Sequence, residues 1–93
     1  MPHFVLTYVL PADYFERRGP FKDGHMRHIA EAEAGGGLIV AGVSDIPPTG
    51  AAYVFDREGA AEAFVHTDPY ITGCVVSEWS VLPWTPVVGP GTA

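Results

Sequence analysis

The sequence has few cysteines, few basic residues and no long apolar run, and each shortage excludes something. A single cysteine, Cys74, permits no intramolecular disulfide, so no disulfide framework stabilises the chain and nothing argues for secretion. Lys and Arg number 5 against 11 Asp and Glu, a formal net charge of -6. That sign is wrong for neutralising phosphates, so neither nucleic acid nor an anionic membrane is an expected partner. The apolar run from Phe4 to Leu10 follows no basic segment and stops at Pro11. It is too short to span a bilayer and wrongly flanked for a signal peptide. The expectation is a cytoplasmic protein, neither cleaved nor anchored.

Apolar residues are plentiful. They make up 47% of the 93 residues and charged ones 17%, on the folded side of the boundary where a chain buries too little to offset its entropy. Two domains of half this length would each lack a core, so one domain over residues 1–93 is expected, with 85–93 as an extended tail that frays at its end.

Residues 3–9, HFVLTYV, alternate with Phe4, Leu6 and Tyr8 on one face and Val5, Thr7 and Val9 on the other, a first strand. Asp13 and Glu16 have capping-box spacing for a helical turn, which Gly19-Pro20 interrupts. Pro20 suits the start of the main helix, expected over 20–34 with Phe21, Ile29 and Ala32 inward and Gly35-Gly36-Gly37 as its stop. LIVAGV at 38–43 and AAYVFD at 51–56 read as strands joined by the turn segment SDIPPTG. Asp56 is placed to cap a second helix with Ala61, Phe64 and Val65 on its inner face, ending by Asp68-Pro69. A last strand is expected over 74–84, with Val75, Trp79 and Val81 on one side and Val76, Leu82 and Trp84 on the other.

The order βαββαβ is the α+β pattern called ferredoxin-like: a four-stranded antiparallel sheet with two helices on one face. The first and last strands are apolar on both sides, so something apolar must cover the open face. A second copy packed sheet to sheet, with Trp79 or Trp84 in or beside the contact, is the simplest cover.

Strand directions in this topology collect His25, Asp68, Arg17, Arg18 and the hairpin's Asp45 at one rim. His25 lies one turn after Phe21 and one before Ile29, so it points at the sheet. Asp68 follows a helix C-terminus, where partial negative charge disfavours a carboxylate, so it needs a compensating partner, and His25 is a natural one. A core histidine beside a helix-terminating Asp-Pro is the structural alternative.

At this point the residues carry a resemblance. RRGPFKDGHMRHIAEAEAGGGLIVAGVSD, EAFVHTDPYITGCVVSEWSVLPWT and FVLTYVL resemble the YCII-related (YciI-like) family of the dimeric α+β barrel superfamily, in order over nearly the whole chain. The family's helix histidine and its DP-aromatic motif fall on His25 and on Asp68-Pro69-Tyr70. The resemblance implies the fold, a homodimer and a His25/Asp68 active-site dyad. It also brings muconolactone-type dehydrochlorinase chemistry into view.

The expected function is cofactor-independent lyase or isomerase chemistry, a proton transfer next to a carbonyl or lactone in a small metabolite. His25 serves as general base and then acid, because an imidazole with an unperturbed pKa near about 6.5 suits both roles. Asp68 fixes the ring's tautomer. Arg17 or Arg18 holds a substrate carboxylate, and Tyr70 walls the pocket or donates its hydroxyl. The alternative is a homodimer that binds or senses a small molecule without turnover; a cofactor-free monooxygenase rests on superfamily analogy alone. A metal shared by His25, His28 and Asp68 lacks the fourth ligand that structural zinc usually takes, so no metal is expected. His28 is read as a helix residue near the pocket, His3 and His66 as surface groups, and Cys74 as an inert buried thiol. Gly35-Gly36-Gly37 follows a helix instead of opening one and is no phosphate loop.

Overall fold

Side-chain alternation in the first strand, β1 (His3–Val9), sets the layering of the whole molecule. Leu6 and Tyr8 are 0% and 2% exposed and point at the helices, and Leu10 continues their row. The computed structural model describes residues 2–89. Beyond β1 come α1 (Tyr14–Arg17), a 3-10 turn (Gly19–Phe21), α2 (Lys22–Gly35), β2 (Leu38–Ser44), β3 (Gly50–Phe55), α3 (Glu58–Thr67), α4 (Pro69–Thr72) and β4 (Glu78–Trp84). The strands form one antiparallel sheet in the order β2-β3-β1-β4, with the helices on one face, the ferredoxin-like α+β arrangement expected from the element order. Among the described residues no helix is long and apolar enough to cross a membrane.

The core lies between sheet and helices. Phe55 of β3 and Phe64 of α3 meet with ring centroids 5.4 Å apart, and Ala61 and Val65 of α3 are fully buried beside them. The other sheet face carries one apolar residue from every strand in a single row, because the register sets Val40 beside Val54, Val54 beside Val5 and Val5 beside Leu82. Val40 and Leu82 are exposed, as is Trp84 at the end of β4. Trp79 falls instead on the helix side, paired with Tyr8 and meeting His66 edge-on.

Four expectations are corrected. The last strand begins at Glu78 rather than at Cys74, because the amides of Val75 and Val76 both donate to the Tyr70 carbonyl (2.9 Å each) and hold both valines in the core. Cys74 itself is exposed, at a turn with φ 60°, not buried. Asp56 does not cap α3; the N-cap is Arg57, with no side-chain cap bond, and the Asp56 carboxylate pairs with the Arg57 guanidinium at 2.8 Å. That carboxylate lies against Gly37, whose φ of 85° and lack of a side chain let β2 start beside it; a Cβ on Gly37 would sit 2.5 Å from an Asp56 oxygen. Finally, the chain forms a further short helix, α4, directly after α3. Residues 90–93, the end of the expected tail, lie outside the described residues.

Candidate active site

Pro69 ends α3, because its ring forbids Asp68 a helical conformation and lacks an amide hydrogen. Asp68 therefore turns out to φ -69°, ψ 125°, and its carboxylate folds back to accept the Tyr70 amide at 3.1 Å, capping α4. The same oxygen, Oδ1, meets His25 Nδ1 at 2.7 Å, and Oδ2 accepts the Tyr8 hydroxyl at 2.5 Å. Asp68 is 0% exposed, so three donors hold a carboxylate wholly removed from water.

Hydrogen-bond accounting sets the imidazole's tautomer. An ionised carboxylate only accepts, so His25 Nδ1 carries the proton and the neutral ring keeps its lone pair on Nε2. That lone pair faces the Tyr53 hydroxyl at 3.3 Å. The ring is stacked on Tyr70, with centroids 3.7 Å apart and planes 10° from parallel. A chain of groups thus runs Tyr53, His25, Asp68, Tyr8, drawn from β3, α2, the α3–α4 junction and β1.

This chain opens onto a cavity of about 340 Å³ between α2 and the β2–β3 end of the sheet. His25, Tyr53, Tyr70 and Tyr14 supply its aromatic walls, Met26, Ile29 and Val43 its apolar ones, and Arg18 is the only Lys or Arg that lines it among the described residues. The Arg18 guanidinium rests 4.6 Å from the Phe15 ring centroid and 5.5 Å from that of Tyr14. Arg17 lies elsewhere: it pairs with Asp13 at 2.7 Å and donates to the Cys74 carbonyl at 3.3 Å. His25, Asp68, Arg18 and Tyr70 are thus brought together, and Arg17 is not.

The remaining histidines have other surroundings. His28 Nε2 donates to the Phe64 carbonyl at 2.9 Å and its ring stacks on Phe64, in a separate groove between α2 and α3. His66 is exposed, as expected, and pairs with Glu62 at 3.3 Å. His3 is not a surface group; it is 5% exposed, and among the described residues neither ring nitrogen has a hydrogen-bond partner.

Tyr8 and Tyr53 were not singled out from the sequence. Their signal was present, since each is a tyrosine at an inward position of a strand, and a buried phenol requires a partner for its hydroxyl. Burial, reinforced by the neighbouring Asp68 charge, pushes the pKa of both hydroxyls well above the ordinary tyrosine value. Burial and the Tyr14 contact also raise that of Tyr70, with Arg18 opposing.

An alkaline limit to stability follows. Folded Tyr8 and Tyr53 keep their protons above about pH 10, where the unfolded chain loses them. The unfolded state then binds fewer protons, so stability is intact below that pH and falls above it by up to about 1.4 kcal/mol per pH unit for each hydroxyl. In a base titration, the phenolate absorbance of these two residues should appear together with loss of the near-ultraviolet circular dichroism, not before it.

The sequence matches no family model and no curated protein. Solved structures do share the fold. A 5-chloro-2-hydroxyhydroquinone dehydrochlorinase from Burkholderia phenoliruptrix AC1100, in complex with 2,5-dihydroxybenzoquinone, superposes with a TM-score of 0.68 at 18% identity, covering 91% of this chain and 94% of that one. A candidate antibiotic biosynthesis monooxygenase from Nitrosomonas europaea gives 0.59 at 15% identity over 99% and 93%. Protein Atu4242 from Agrobacterium tumefaciens gives 0.58 at 12% identity over all of both chains. At these identities the likeness establishes the ferredoxin-like α+β fold and nothing finer.

Proposed function

We propose that the protein is a cofactor-independent lyase or isomerase of the YCII-related kind, moving a proton with His25 and Asp68 on a small cyclic carbonyl or lactone. One observation carries this reading: a buried His25–Asp68 hydrogen bond of 2.7 Å whose imidazole lines a ligand-sized cavity. With Nδ1 held by Asp68, the ring's basic electron pair lies on Nε2, and the imidazolium formed after proton uptake stays next to a carboxylate. In an elimination, the electron pair of the broken C–H bond forms the new double bond and the leaving group departs with its own pair. Arg18 holds an anionic oxygen of the substrate and Tyr70 keeps the imidazole plane fixed by stacking. A dehydrochlorinase on the same fold supports the lyase reading.

The test is turnover by the purified protein, without added metal or cofactor, on chlorinated hydroxyhydroquinones and chlorinated lactones, read as chloride release and as deuterium uptake from solvent. The absence of both signals with every one of these rings would refute the proposal. A non-catalytic binding protein is the second reading, favoured by a His25 that is 4% exposed with both ring nitrogens engaged. Such a protein would show saturable binding of the same rings without chloride release.

The active form is proposed to be a homodimer closed through the open sheet face, whose valine and leucine row crosses all four strands. Light scattering should give twice the chain mass at micromolar concentration. Val54→Lys, at the middle of that row, places an unpaired charge in the contact and should weaken association by roughly a hundredfold or more. A wild-type monomer would refute the assembly.

A further inference from the structure

We infer that Tyr53 is a catalytic residue whose hydroxyl exchanges the proton with the substrate, and that His25 acts through it. The inference rests on the acid-base reading above. Its ground is the 3.3 Å contact between the Tyr53 hydroxyl and His25 Nε2, the only ring nitrogen with a free electron pair. Tyr53 is 4% exposed and lines the cavity together with His25. If a substrate took Nε2 directly, it would displace this hydroxyl from the ring-nitrogen contact that a phenol only 4% exposed makes.

The hydrogen-bond directions give the relay its sense. At rest the Tyr53 hydrogen is committed to Nε2, so the oxygen offers electron pairs to the cavity. When a substrate C–H bond breaks, its electron pair stays on the substrate as an enolate and its proton bonds to the Tyr53 oxygen. The original Tyr53 O–H bond breaks in the same event, its electron pair returns to oxygen, and that proton bonds to Nε2. Tyrosine is left neutral and His25 becomes an imidazolium against Asp68. Nε2–H now donates to Tyr53, whose new hydrogen points into the cavity, so the same hydroxyl returns a proton as an acid. Burial holds the Tyr53 hydroxyl far from ionising, which couples the two transfers and excludes a free tyrosinate. A contact of 3.3 Å is long for a working hydrogen bond, and such contacts tighten when substrate is bound. Tyr8 lies at the far end of the chain, donating to Asp68, and serves as a positioning residue.

The test uses the full chain and the chlorinated rings named above. Tyr53→Phe should lower kcat by roughly a hundredfold or more while KM changes less than about threefold. The wild-type rate plotted against the deuterium fraction of the solvent should bow, as two protons in flight require, and the variant's should be linear. Fluorotyrosine incorporated at position 53 keeps the volume and the hydrogen bond but makes the hydroxyl more acidic, so it should change kcat even where Tyr53→Phe folds poorly. An active wild type whose kcat is unmoved by the phenylalanine and fluorotyrosine forms overturns the relay and leaves the acid-base function standing. A wild type inert toward every ring overturns both.

Discussion

His25→Gln is expected to reduce turnover by roughly 100- to 10,000-fold, the range for losing a positioned general acid-base group, with the fold intact. Glutamine is close in reach and can donate to Asp68 Oδ1, the partner His25 meets at 2.7 Å. It has no basic electron pair at the Nε2 position, so the proton has no acceptor at the end of the chain. The loss should fall on kcat and kcat/KM together, because the missing interaction is made only as the proton moves. Arg18→Gln should show the other pattern, a raised KM with kcat nearly kept, because the Arg18 guanidinium holds substrate without taking part in the transfer. Steady-state kinetics with the chloride-releasing substrate distinguishes them. A His25→Gln protein that turns over at the native rate would end the acid-base mechanism.

Asp68→Ala is expected to cost several kcal/mol of folding stability. The substitution leaves the Tyr8 hydroxyl, the Tyr70 amide and His25 Nδ1 without an acceptor, in a place where Asp68 itself has no exposed surface. Each stranded buried donor costs about 1 to 3 kcal/mol, and a domain of this size has about 5 to 14 kcal/mol in total. The variant should unfold at much lower urea concentration or be recovered as aggregate. Asp68→Asn keeps the shape and one accepting oxygen, so it should fold, with its loss concentrated in turnover through poorer control of the imidazole tautomer. Tyr8→Phe removes one donor and leaves the carboxylate two, for an expected loss of about 1 kcal/mol. Urea denaturation of the three proteins checks the order. An Asp68→Ala protein as stable as the wild type would mean that water replaces the carboxylate in a site the structure shows as closed.

The two predictions draw on parts of the structure that were unequally legible in the sequence. β1 was readable to the residue because alternation over HFVLTYV is a strong local signal and Pro11 follows close behind. The Asp-Pro step at 68–69 ends α3, but the same two residues also start α4, with Asp68 as N-cap and Pro69 at the first helical position. That double use drew Val75 and Val76 back under the Tyr70 carbonyl and shortened the last strand. Alternation alone cannot distinguish a strand from two valines buried in a turn. His3 is read as a surface group because the sequence offers it no partner, and the pairing of β1 with β4 sets Trp84 opposite it.

Composition, periodicity and punctuation by Gly and Pro determined the order of the four strands and the two longer helices, and the rim at which His25 and Asp68 arrive. These are consequences of local propensity and of right-handed connection, which act within a few tens of residues. Only the tertiary structure decided what surrounds the dyad. Tyr8 and Tyr53 meet it from two strands because β1 and β3 pair with Leu6 opposite Tyr53 and Tyr8 opposite Ala51. Arg18 turns to the cavity and Arg17 to Asp13, although the two are neighbours in the chain. Such choices depend on register and helix phase, where a shift of one residue reverses which side chain points inward, and no local pattern in the sequence records that phase across the 43-residue separation of His25 and Asp68.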